Sequence, residues 1–194
     1  MNIFYLHENP IQNAKWHIDK HIVKMPIEYA QLLSTAHRLL DGEMYLGKTA
    51  IGRNIKRWRL HDEREDILYK ASHINHQSAI WVRESIENYF QMYKLYMAVL
   101  AEFTNRYGKI HGASKPSVFL MRPPLNIPCV KRTEIPQCMP DYCKVKGNPI
   151  KAYRNYYINE KESFATWKNK EIPQWFKMTS AQSQNDTMIG CFGN

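Results

Sequence analysis

Long apolar runs are missing from this chain. No window of the 194 residues approaches the roughly 18 consecutive apolar positions of a membrane span. The opening MNIFYLHENP has neither the basic start nor the apolar stretch of a secretory signal. The expectation is a soluble protein of the cytoplasm with no membrane partner. Cysteine is scarce too: Cys129, Cys138, Cys143 and Cys191 form no CxxC pair, which argues against a zinc knuckle and for reduced thiols. No Walker A loop, GxGxxG, HExxH or GxSxG is present, so NTPase, dinucleotide-fold and hydrolase readings have no local support. Acidic residues are outnumbered, 18 Asp+Glu against 27 Lys+Arg. The net charge of +9 favours a polyanionic partner.

What is present reads as an all-α chain. Ile3 to Leu6 form a short apolar, extended segment, and Asn9-Pro10 punctuates it before a helix. Ile22, Met25, Tyr29, Leu32, Leu33, Ala36, Leu39 and Leu40 keep the spacing of one helix face. Pro26 predicts a kink there or a start not far upstream, with Asp19 as a possible cap, and Gly42 ends the helix. Residues 43–66 change character: five Lys+Arg without an acid between 47 and 61, then an acidic run, interrupted by Gly47 and Gly52. This predicts an exposed excursion or hairpin able to lie against a polyanion. A second helix is expected over 78–107 as one piece, closed by Gly108. Seven of the ten prolines fall in 112–149, which predicts a proline-rich coil wrapping the helices. A third helix should follow Asn148-Pro149 and run to Trp167. The predicted organisation is one helical domain over 1–176 and a flexible polar tail over 177–194.

Three constellations could carry chemistry. His17, Asp19, Lys20, His21, Lys24 and Glu28 are spaced to share one helix edge, bringing imidazole, amine and carboxylate within two turns. Asn75-His76 enters a helix carrying Trp81 and Arg83, where free N–H groups suit a phosphate, although Asn75 and Ser78 as simple caps explain the pattern equally well. Lys151, Tyr153, Arg154, Tyr156, Tyr157 and Lys161 interleave aromatic and basic residues, the combination that stacks bases and meets phosphates. Of these, Tyr153 and Tyr157 are read as core, leaving Lys151 and Arg154 as ligand candidates. His17-x3-His21 and His73-x2-His76 have metal-ligand spacing without a fixed third ligand, so no metal and no cofactor are expected.

The segments HIDKHIVKMPIEYAQLLSTAHR, LYKASHINHQSAIWVRESIENYFQMYKLYMAVLAEFTNRYGK and KAYRNYYINEKESFATWKNKEIPQWF resemble a group of small phage-encoded proteins. The likeness extends over residues 1 to about 176, apart from portions of 43–66 and of the proline-rich region. More distantly, the order of motifs resembles the pyrimidine-dimer DNA glycosylases of the phage endonuclease V type and their bacterial relatives. The residues that carry this are Asp19 to Glu28, Asn75-His76 followed by Trp81, His17 nine residues before Pro26, and Tyr153–Tyr157. In place of the family's proline after Asn-His stands Gln77.

The resemblance implies an all-α protein of the host cytoplasm that flips a damaged base out of duplex DNA. An amine would attack the sugar to form a Schiff base, and a carboxylate would serve acid/base steps. Asn2 is too bulky for efficient removal of Met1, so the amine would be that of Met1, or of Lys20 or Lys24. Lys24 also stands where the phage enzymes' glutamate falls, leaving Glu28 or Asp19 as the carboxylate, of which Glu28 is taken first. The expected catalytic set is Met1, His17, His21, Lys24 and Glu28; the expected nucleic-acid contacts are Lys56, Arg57, Arg59, Asn75, His76, Arg83, Lys151 and Arg154. The alternative is a non-catalytic phage protein that binds nucleic acid or modifies the host.

Overall fold

Asn9 places its side-chain oxygen on the N–H groups of Ile11 and Gln12, and Pro10 follows at the first helical position, so α1 (Pro10–Trp16) begins where the sequence punctuates. In this computed structural model, which describes residues 1–177, α1 turns at His17 into the long α2 (Asp19–Asp41). Ile18 is the N-cap residue and Asp19 lies in the first turn, so Asp19 is not the cap. Its carboxylate is committed to Arg106 at 2.9 Å and to the Lys168 N–H. α2 continues through Pro26, which lacks the N–H for the Ile22 carbonyl and costs about 3 kcal/mol in a helix interior. Burial of Ile22, Met25, Tyr29, Leu32 and Leu33 on one face outweighs that cost.

The excursion is a hairpin of β1 (Glu43–Lys48) and β2 (Asn54–Arg59), antiparallel from Glu43 opposite Arg59 to Lys48 opposite Asn54. Its turn needs a residue at φ +78°, supplied by Gly52. The protein is thus predominantly helical with a small two-stranded sheet, where the sequence was read as all-α. A short α3 (Arg64–Ile67) returns the chain to α2. Fully buried Arg38 reaches the carbonyls of Trp58, Glu65, Leu68 and Tyr69 and the Glu65 carboxylate at 2.5 Å, fixing the hairpin's base to the helix.

The predicted single helix over 78–107 is two helices, α4 (Gln77–Glu84) and α5 (Ile86–Tyr107). Ser85 is extended (φ −151°, ψ 140°) and caps α5 through the Glu87 N–H, while its hydroxyl donates to the Val130 carbonyl. The Ile86 N–H donates to Pro128. Periodicity could not register this break, because the apolar spacing carries on across it while the backbone bonds pass to the proline-rich strap. That strap is ordered by side chains: Asn88 and Thr133 exchange bonds, the Trp81 indole N–H reaches Thr133, and Gln137 pairs with Val145. It includes short 3₁₀ turns at Gly112–Ser114 and Asp141–Cys143 and a single turn α6 (Ser117–Leu120).

The last long helix, α7 (Pro149–Lys161), starts at the predicted Asn148 cap but stops short of Trp167. α5 is the central element, packed against α1, α2 and α4. No helix among the described residues is long and apolar enough to cross a membrane. Apart from Lys177, the predicted tail lies outside the described residues, as does Cys191.

Candidate functional site

Among the described residues the extended N-terminal segment has no strand partner; side chains hold it instead. Asn2 donates to the Cys138 carbonyl, accepts the Ile3 N–H, and lies 2.8 Å from the Tyr153 hydroxyl. The Phe4 N–H donates to the Tyr29 hydroxyl and the Leu6 N–H to Asn13. These bonds bring Met1 to the side of a cleft of about 280 Å³. Lys24, Met25 and Glu28 of α2 line it, with His76 at the start of α4, Tyr156 and Lys161 of α7, and the buried faces of Phe4 and His21. Residues separated by most of the chain therefore meet in one concavity.

Lys24 and Glu28 form an ion pair at 3.0 Å, with the lysine side chain 69% exposed and the glutamate 14%. His76, not Asn75 or Ser78, caps α4: its Nδ1 accepts the Ser78 N–H. In the neutral ring that leaves the proton on Nε2, the second nitrogen. Burial first, then the Met1 ammonium and His73, hold the His76 imidazole below the usual histidine range, with Glu28 opposing. Near neutrality this side chain is an uncharged donor beside a carboxylate and two amines, and the Lys161 ammonium lies 4.5 Å from the centre of the Tyr156 ring.

The two histidines of the predicted polar edge are both buried. His17 lies before α2, at the corner with α1, and is fully buried. The Asn13 carbonyl can only accept, so His17 Nδ1 carries the proton at 2.8 Å. Nε2 then accepts from the Tyr29 hydroxyl at 3.0 Å. Burial holds His17 at a pKa of about 4, and both ring nitrogens are used within the core. It does not line the cleft: His17 supports Tyr29, which supports Phe4. His21 does reach the cleft. It stacks on Phe4 with centroids 3.9 Å apart, and Nδ1 lies 2.6 Å from the Tyr157 hydroxyl. Burial foremost, then nearby His17, Lys161 and Lys24, push its imidazole far below the usual range, so it presents a neutral ring edge rather than a charge.

The expected nucleic-acid contacts fall into three places. Asn75 is exposed on the loop before α4, and Arg83 ties that loop by donating to the Ile74 carbonyl. Lys56, Arg57 and Arg59 lie on β2, with the Arg59 guanidinium 4.9 Å from the centre of the Tyr45 ring. Lys151 and Arg154 lie on α7 and border a second, larger cleft of about 990 Å³, which also includes Tyr5, His7 and Arg132. Against known proteins the chain matches no family model, no curated sequence and no solved structure.

Sequence reasoning left Phe4, Met25, Tyr156 and Lys161 out of the first cleft, and His7 and Arg132 out of the second. Tyr156 and Lys161 stood in the aromatic-basic cluster, where an i,i+5 offset gave no sign of a shared concavity. Phe4 reads as plain core. Arg132 sits in a coil without periodicity, so nothing local could place it. Among the described residues no three His, Cys, Asp or Glu side chains gather to hold a metal.

Proposed function

We propose that the chain acts on DNA as a glycosylase/AP lyase of the pyrimidine-dimer type, forming a Schiff base through an amine of the 280 Å³ cleft. The supporting observation is the meeting of two candidate amines, Met1 and Lys24, with Glu28 and His76 around one concavity. In this reading the neutral amine nitrogen bonds to C1′ of a flipped nucleotide as the C1′–base bond breaks and the departing base takes the proton the amine sheds; the C1′–O4′ bond then opens to give the Schiff base, and O4′ takes up a proton. Glu28 exchanges protons with the sugar in the steps that follow. The neutral His76 ring supplies a hydrogen bond without a competing charge. α-Amines as a class are less basic than lysine side chains, which makes Met1 the first amine to test.

The experiment is borohydride reduction in the presence of abasic or dimer-containing duplex. A covalent protein–DNA adduct supports the lyase, and its absence with both substrates overturns it. Lys24→Gln and a short peptide fused ahead of Met1 then assign the amine, since only the variant lacking the reacting amine loses the adduct. The second reading, a non-catalytic nucleic-acid-binding protein, is favoured by the 3.0 Å Lys24–Glu28 pair, which neutralises one amine with the carboxylate that would serve it. Under it, Glu28→Gln leaves DNA binding unchanged and there is no turnover to lose.

A further inference from the structure

The larger cleft is separate from the proposed chemistry yet built from the same two elements, the N-terminal segment and α7. Lys151 and Arg154 are i,i+3 on α7 and share a face. Arg132 comes from the strap. Arg154 is fixed: Nε donates to the Leu6 carbonyl at 3.1 Å, and its guanidinium carbon lies 5.0 Å from the centre of the Trp16 ring and 5.4 Å from that of Trp175. A half-buried guanidinium normally meets a carboxylate, since desolvating the charge is costly. Here none does. Among the described residues no ion pair involves Arg132, Lys151 or Arg154, although Glu8 and Glu134 stand at the exposed rim of the same cleft. The buried arginines elsewhere, Arg38 and Arg106, each hold carboxylates. The α7 N-terminus at this cleft is already capped by Asn148, so side chains, not the helix end, are what a ligand would meet.

We propose that this cleft is a phosphate-ester site, in which Arg154, set beside the two indoles, and the exposed Arg132 and Lys151 converge on a phosphate. The phosphate comes either from a polynucleotide backbone, an assignment that rests on the DNA-acting reading above, or from a free nucleotide, which does not. A rigid planar fork flanked by two long cations suits a tetrahedral dianion or diester better than a carboxylate peptide, because three donors can reach different oxygens.

The test compares the wild-type chain with Arg132→Ala/Lys151→Ala, a pair of exposed positions whose loss leaves the core intact, and with Arg154→Lys. Affinity for a 20-base-pair duplex is measured by fluorescence anisotropy over a salt series, and affinity for dAMP and for deoxyadenosine by calorimetry. For a backbone site the double variant binds duplex at least tenfold more weakly, and the slope of log K against log salt falls by about two. For a nucleotide site dAMP binds, deoxyadenosine does not, and the double variant loses dAMP while keeping duplex affinity. Arg154→Lys weakens whichever ligand binds, since a point charge cannot replace the fork. Unchanged duplex affinity and slope together with no dAMP binding overturns the proposal. Borohydride trapping of the wild-type chain is scored separately: its failure removes the lyase and leaves these affinities to decide the cleft.

Discussion

Arg38 and Arg154 show two uses of the same side chain. Both donate to backbone carbonyls of distant segments. Arg38, at the junction of α2 and the hairpin, also ends on the Glu65 carboxylate; neighbouring Arg64 holds Asp41 and Asp62. Every charge of that junction is answered from within. At the larger cleft beside the N-terminal segment Arg132, Lys151 and Arg154 have no ion pair among the described residues. The difference teaches that the chain's +9 divides into charge answered within the fold and charge left without an ion pair among the described residues. The second kind is what the proposed sites draw on.

Breaking the closed side should have the largest effect. Arg38→Ala leaves four carbonyls without their donor and takes from the Glu65 carboxylate its buried partner, leaving it Lys70 and the Leu60 N–H, and the expected loss is about 3–5 kcal/mol, measured by urea unfolding. A change below about 1 kcal/mol would mean that the junction is no more closed than the open side. On the open side, Glu28→Gln should cost about 100-fold or more in lyase rate, measured by single-turnover trapping, with stability altered by less than about 1 kcal/mol. The same substitution thereby separates function from architecture.

Acid tests the core on both sides, His17 beneath the N-terminal segment and His37 beside Arg64 of the closed junction. His17 and His37 both have folded pKa values of about 4, held down chiefly by burial, against an ordinary 6.5. Folding favours their neutral rings, so this stabilisation is intact above about pH 6.5 and drains away as pH falls toward 4. The midpoint of urea unfolding should drop over that window, and His37→Gln should flatten part of the drop. An unchanged midpoint between pH 7 and 4.5 would show that neither ring is held neutral. The smallest effect is expected at the hairpin. Lys56→Ala/Arg59→Ala should leave stability within about 0.5 kcal/mol and reduce the salt slope of duplex binding by no more than about two. If instead stability falls sharply, the hairpin belongs with the closed side.

Part of the site was legible in the sequence because its signals are local. Asn9-Pro10 and Asn148-Pro149 specify caps by their own side chains, and the Lys24–Glu28 pair follows from helix spacing alone. His17 misled for the converse reason. Counted as i−4 from His21 it belongs on a polar edge, but α2 begins after it, and the corner with α1 turns its ring into the core. Ser85 was invisible as a break because a strap some 45 residues later in the chain supplies the acceptors that make it one. The hairpin was recognised by its glycines and charges, yet Arg38, which pins it, reads as one more basic residue near a helix end.

What the sequence determined by itself, then, is the helical character of most segments, the Asn9 and Asn148 caps and the charge surplus, since these depend on composition and on contacts within a few residues. Tertiary structure alone decided which charges are closed off and which stay open. It also decided that Met1, Glu28, His76 and Lys161 share one cleft and that Arg132 joins Arg154 in another. Those groupings rest on burial and on bonds between segments up to 151 residues apart, such as Tyr153 on Asn2, and no spacing rule along the chain carries that information.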